Sequence, residues 1–320
     1  MRLIPLLAAL TLSACLPTVA LAQADRPALK IIVPFAAGGG VDAAARLLGT
    51  QLQKQLGVTV IVENKAGGSG TIGGKAVQTA PADGTTLLFS AATHVLAKQV
   101  LQQPPYDPQT DFAPVARTGT APLLLVAAPG KPQTKLVDLL AAVKKEPDKW
   151  TAGIPAAGAP SHLATLLMAK QAQVRFSLVP YKGTQPALMD VAGGHTDVML
   201  DSMISLLQMA KSGKVRPIAI TSAKRSSLMP DVPTFKESGL PTFAFESWYG
   251  VWVPKDTPAD RIAALNAAIN TATAELAKSG ALIALGIEPV TETAAQFKAY
   301  IAAEVKEGAE LLKEAGYRPE

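Results

Sequence analysis

Residues 30–49, KIIVPFAAGGGVDAAARLLG, join a short apolar run to a helix-forming stretch through Pro34-Phe35-Ala36-Ala37 and three glycines. Read as strand, loop and helix start, this is the first unit of an α/β fold. Glycines at such a junction leave consecutive backbone N–H groups free, and the helix start adds partial positive charge, so a small anion is favoured there. Asp42 is expected at the N-cap or in the first turn, where an acid suits the helix dipole. Gly38-Gly39-Gly40-Val41-Asp42-Ala43 also fits the dinucleotide pattern GxGxx(G/A), with Glu63 closing the next strand. In that pattern the first glycine follows the strand directly. Here four residues intervene, which argues against a nucleotide site. A second string, Gly68-Ser69-Gly70-Thr71-Ile72-Gly73, fits literally; it reads as a tight surface loop. Neither is a P-loop, because Ala76 follows Lys75 where a hydroxyl is required.

Outward from this unit, short apolar runs alternate with amphipathic stretches. Strands are predicted at 30–33, 59–63, 86–90, 123–127, 150–154, 176–180, 197–201, 216–221 and 247–253. Helices are predicted at 42–55, 74–79, 135–145, 162–170, 184–192, 202–211, 258–278 and 294–315. Strands so short and apolar need helices on both faces, which implies α/β architecture with largely parallel sheets. The first series ends near Pro122 and a second runs to Thr221; a loop rich in Pro and Gly then leads to an aromatic strand and two long helices. Two lobes joined by two crossing segments explain this order: residues 23–123 plus 252–320 as lobe 1 and 124–251 as lobe 2. Ligands of open α/β sheets bind beyond the strands' carboxyl ends, so facing lobes make a cleft.

Residues 1–22, MRLIPLLAALTLSACLPTVALA, carry one cation, no acids, a long apolar run and an Ala-x-Ala end, the pattern of a cleavable export signal. Leu12-Ser13-Ala14-Cys15 also fits a lipoprotein processing box, but an apolar tail would follow Cys15, so cleavage after Ala22 is preferred. With the only cysteine in that segment, the mature chain has no disulfide or thiol chemistry. Roughly 300 residues remain, enough for two domains. The formal net charge of +5 becomes +4 without Arg2. The lysines are scattered (Lys54, Lys65, Lys75, Lys98, Lys131 and Lys135 among them), with no dense Arg-aromatic stretch. This balance favours small anions over nucleic acid.

Catalytic and metal motifs are sparse. His94, His162 and His195 are far apart, and no HExxH, GxSxG or metal-ligand spacing occurs. Ser161 and His162 are adjacent, which points their side chains apart on a helix, so His162 is expected to cap or pack at a helix start. Asp201 ends an apolar strand; it either caps the next helix or accepts from a ligand amino or hydroxyl group or a positioned water. Trp248 in FESWYGVWVP is either core or a cleft wall.

The blocks IIVPFAAGGGVDAAARLL, VIVENKAGGSGTIGGKAV, APADGTTLLFS, YDPQTDFAPVA, PSHLATLL, VPYKGTQPALMDVAGGHTDVMLDS, RPIAITSAKRSSLMPDVPTFKESGLP and SWYGVWVPKDTP occur in this order and span essentially the whole mature chain. Together they resemble the Bug family of extracytoplasmic solute receptors, the binding components of tripartite tricarboxylate transporters. The resemblance implies a type II periplasmic-binding-protein fold, no cofactor and no enzymatic activity. It further implies a monomeric periplasmic protein that hands a small carboxylate to a membrane permease. Family ligands are di- and tricarboxylates, acidic amino acids and nicotinate-like or aromatic acids. The implied clamp is the loop Phe35, Ala37, Gly38, Gly39, Gly40, Val41 and Asp42 against a second turn with Gly158, Ala159 and Ser161. The resemblance places Ser90, Thr93 and Asp201 nearby, and Trp248 joins the candidate site on the cleft-wall reading of its strand. Two departures stand out: Val41 where many relatives have Thr, and Ala159-Pro160 where Ser or Thr is common. Each removes a hydroxyl, so a monocarboxylate or an aromatic acid is expected over citrate. A secreted hydrolase using the same cleft, or a sensor for a membrane signalling protein, are the alternatives.

Overall fold

The computed structural model describes residues 27–147 and 149–319; the export signal and Cys15 lie outside them. The first sheet is built from β1 (Leu29–Val33), β2 (Val60–Asn64) and β3 (Thr86–Ser90), with α1 (Gly40–Leu56) and α2 (Thr71–Gln78) between them and the short α3 (Ala92–Val95) and α4 (Ala97–Val100) after β3. Strand β4 (Phe112–Ala127) then runs through both halves of the molecule. The second half follows as α5 (Leu136–Lys145), β5 (Thr151–Ile154), α6 (Pro160–Ala172), β6 (Ser177–Pro180), α7 (Thr184–Ala192), β7 (Val198–Ser202), α8 (Met203–Lys211) and β8 (Arg216–Ile220). The chain returns in β9 (Glu246–Pro254) and closes with α9 (Ala259–Lys278), α10 (Ala281–Ala284), β10 (Glu288–Pro289) and α11 (Ala294–Glu314).

Sheet order is β2-β1-β3-β9-β4-β7-β5-β6, with β8 and β10 also on β4. The long β4 changes partners midway. Phe112 to Pro122 pair with β9, and Leu123 to Ala127 pair with β7 and β8. Strands β1, β2 and β3 are mutually parallel, as are β5, β6 and β7, but every pairing of β4 is antiparallel, and so is that of β3 with β9. The sheets are therefore mixed, not largely parallel, because the two segments that cross between the halves run against the βαβ units.

Both faces of each half are covered. In β4, Leu123 and Leu125 pack with α5 and α6, while Leu124 and Val126 pack with α7 and α8. In β1, Ile31 and Val33 join a core with Leu48 and Leu52 of α1, and Ile32 joins the opposite core with Trp252 and Phe297. Alternating side chains on a doubly covered strand must all be apolar, which is the run seen in the sequence. The N-terminal part of β4, FAPVARTGTAP, carries no such run and was not expected as strand. It extends because β9 supplies its ladder, with irregular register at Pro114/Ala116 and Arg117/Gly119.

The second glycine string is structural. Gly67, Gly68, Ser69 and Gly70 all have positive φ, and a Cβ on Gly73 would lie 2.8 Å from Pro34. The turn thereby packs onto the loop after β1.

Candidate functional site

A narrow cavity, partly open to solvent, lies where the two halves meet. It sits beyond the carboxyl ends of β1, β3, β5 and β7, as the strand rule anticipates. Four helices begin on it. Gly39 and Gly40 open α1, Ala159 and Pro160 open α6, Thr184 opens α7 and Ser202 precedes α8. None of the four starts has a side-chain cap. Uncapped first-turn N–H groups and the dipole ends favour a small anion. Pro160 contributes no N–H. Among the described residues no Lys, Arg or His lines the cavity, so its attraction for an anion comes from backbone dipoles and hydroxyl groups.

The loop after β1 is held by one network. Asp42 sits in the first turn of α1, with Gly39 as the N-cap. Its Oδ2 accepts from the Gly38 N–H at 2.8 Å and from Arg46 Nε at 3.0 Å, and its Oδ1 accepts from Asn64 Nδ2 at 2.8 Å. Asn64, at the end of β2, also donates to Phe35 O. Burial alone would raise the Asp42 carboxyl, but the hydrogen bonds from Arg46, Gly38 and Asn64 outweigh it and hold it below the usual value of 3.8. The sign follows: this stabilisation is in place above pH 3.8 and is lost as pH falls through the lower folded value. Asp42→Ala is expected to cost about 3 kcal/mol in urea unfolding at pH 7, because a buried network loses its common acceptor. A cost indistinguishable from zero would mean that Arg46 and Asn64 hold the loop without it.

Asp201, at the end of β7, is only 6% exposed and lines the cavity. Its Oδ2 accepts from Thr184 Oγ1 at 2.7 Å and its Oδ1 from the Ser202 N–H at 2.8 Å. Burial pushes its carboxyl up to about 6 against those two hydrogen bonds. Ser202 Oγ in turn meets Tyr249 OH at 2.9 Å, and burial pushes that phenol up to about 12, so it stays protonated.

Of the residues singled out in the sequence, Phe35, Gly39, Gly40, Val41, Asp42, Thr93, Ala159 and Asp201 line this one cavity. Ser90 and Ser161 are fully buried behind it, and like Thr93 their hydroxyls have no protein partner. Ala37 and Gly38 are exposed at the rim, where Gly38 O accepts from Gln185 Nε2 at 2.7 Å. Gly158 turns the second loop with φ +72° and packs against Leu96 and Val100. Trp248 points away from the cavity into the core. Its Nε1 donates to Glu304 at 2.7 Å, and its ring packs on Trp252, Phe297 and Tyr300. The cavity instead receives Ser247 and Tyr249, because alternate strand residues face opposite sides. That period-two signal was present in ESWYGVWVP. Thr184 and Ser202 were also not singled out, although Thr184 opens α7 and Ser202 ends β7 just before α8.

Ser161 and His162 do not pair, since Ser161 Oγ and His162 Nε2 lack protein partners and His162 Nδ1 accepts from the Gly158 N–H at 3.0 Å. Burial lowers the His162 imidazole to about 4, so it stays neutral and keeps that acceptor. It braces the turn that opens α6. His94 lies in the core between Tyr106, Phe112 and Trp252, and His195 is exposed elsewhere.

The two halves are closed on one another. Besides Gln185 on Gly38, the Ala36 N–H meets Lys182 O at 3.4 Å, and a Cβ on Gly40 would fall 2.8 Å from Ser202 Oγ.

Comparison with known proteins matches residues 44–317 to the family described as tripartite tricarboxylate transporter family receptor. Three solved structures are similar over nearly the full chain. The periplasmic binding protein BugD is 35% identical with TM-score 0.85, covering 92% of this chain and 99% of that one. Rpa4515 of R. palustris with adipate is 30% identical with TM-score 0.87, covering 91% and 98%. MatC of Rhodopseudomonas palustris with bound malate is 31% identical with TM-score 0.82, covering 89% and 98%.

Proposed function

The chain belongs to the tripartite tricarboxylate transporter receptor family, and from that premise we propose that it is a periplasmic receptor that captures a small carboxylate and delivers it to a membrane permease. The observation that carries this reading is the convergence of four uncapped helix starts on one cavity that has no basic side chain among the described residues. Structures of similar proteins with adipate and malate place small carboxylates in the same class of fold. The ligand enters between the open halves and bridges the Gly39–Asp42 amides and those at the start of α6. This shifts the population toward the closed form that a permease recognises. The hydroxyl of Thr93, which lines the cavity and lacks a protein partner, supplies a donor directly or through water. No covalent step is involved.

The lobes pivot where β4 changes partners between Pro122 and Leu123 and where the chain returns into β9. Val41, Ala159 and Pro160 all line the cavity and offer no hydroxyl, which favours a monocarboxylate or an aromatic acid over citrate.

A thermal-shift panel of carboxylates tests the reading, with nicotinamide dinucleotides as controls. A ligand at about 100 times its Kd adds roughly 2.7 kcal/mol of stability. Stabilisation by dinucleotides and by no carboxylate overturns the proposal, and citrate binding tighter than benzoate-type acids overturns the monocarboxylate preference.

A further inference from the structure

The cavity holds two carboxyl groups, and only one is neutralised. Asp42 is paired with Arg46. Asp201 has two hydrogen bonds, from Thr184 and the Ser202 N–H, but among the described residues no cation lines the cavity beside it. A buried carboxylate without a counter-ion is costly unless a ligand compensates it.

Its position relative to the anion cradle is close. Thr184 Oγ1, which donates to Asp201, lies 3.4 Å from where a Cβ on Gly39 would stand. Ser202, whose N–H holds the other Asp201 oxygen, has its Oγ 2.8 Å from the equivalent point on Gly40. A carboxylate seated on the amides at the start of α1 therefore has Asp201 within about one side chain's reach. A simple alkanoate offers Asp201 nothing, and a dianion brings a second negative charge toward it. A donor close to the ligand carboxylate instead makes a charge-assisted hydrogen bond with it.

We propose that the site selects a carboxylate carrying a hydrogen-bond donor on the adjacent carbon, the chemistry shared by α-hydroxy and α-amino acids, and that Asp201 is the specificity-determining acceptor. This rests on the carboxylate-receptor reading above. Thr184 and Ser202 position Asp201, and the ligand donor takes its remaining acceptor capacity.

Calorimetry on the native protein with two matched sets tests this: propionate, lactate and alanine, then 3-phenylpropionate, 3-phenyllactate and phenylalanine. In at least one set an α-substituted acid is expected to bind about tenfold or more tighter than its unsubstituted parent, and the hydroxy and amino arms identify the donor. In Asp201→Asn, checked for folding by thermal unfolding, that preference should shrink to within about threefold. Parent acids binding as tightly as their α-substituted forms, or an undiminished preference in Asp201→Asn, overturns the proposal while the carboxylate reading stands. Failure of all six acids and of the carboxylate panel overturns both. The native comparison decides the matter by itself if the variant does not fold.

Discussion

Gly40→Ala is expected to weaken ligand binding by about 100-fold, equivalent to roughly 2.7 kcal/mol, while each lobe stays folded. The added Cβ would stand 2.8 Å from Ser202 Oγ and 3.0 Å from Ser202 Cβ, so the second lobe must back away, and 3.0 Å from the hydroxyl of Tyr249, which shares the core of α1 and must tilt aside. Gly40 is the first residue of α1 and lacks positive φ, so alanine fits its backbone and suits the helix. The larger part of the cost, the contact with Ser202, therefore falls on closure and not on folding. A receptor whose closed form is rarely populated binds in proportion to that population. Calorimetry reads the affinity, and small-angle scattering with ligand reads the failure to close. Native affinity with a native closed profile would show that Ser202 and Tyr249 rearrange freely.

Asp201→Asn should stabilise the ligand-free protein by about 2 kcal/mol at pH 7.5, even though it damages recognition. The Asp201 carboxyl is raised from 3.8 to about 6 by burial, so the fold favours its protonated form. The sign follows from this. Above pH 6 the wild type bears a buried charge that the unfolded chain solvates better, and stability from this group is regained as pH falls from about 6 toward 3.8. The gap between variant and wild type should therefore be widest at pH 7.5 and shrink to roughly a third of that at pH 4.5. Urea unfolding at both values measures it, and a gap independent of pH would mean that Asp201 is not the titrating group. A site residue that costs stability is the expected signature of a cavity built for a ligand.

The elements were legible where one local signal decided them. Strands β1, β3, β5 and β7 are apolar because helices cover both faces, and α1, α7 and α9 show helical periodicity between breakers. The first glycine loop was legible too, since free amides ahead of a helix follow from local backbone chemistry. The N-terminal half of β4 was not legible, because Pro114, Gly119 and Pro122 are poor strand formers that extend only when β9 pairs with them. The direction of β4 and β9, and with it the mixed character of the sheets, is a matter of partners 130 residues apart in the chain.

By itself, the sequence determined the α/β units, the doubly covered strands and the anion-favouring loop from Phe35 to Asp42, because each depends on neighbours a few positions away. Only the tertiary structure decided which polar groups meet. It turned Trp248 into the core and Tyr249 into the cavity, set Thr184 and Ser202 on the two oxygens of Asp201, and left that carboxyl without a cation. Those contacts join strand ends, helix starts and a returning strand that are far apart in the chain. Their energies come from burial and proximity, quantities that exist only once the chain has closed on itself.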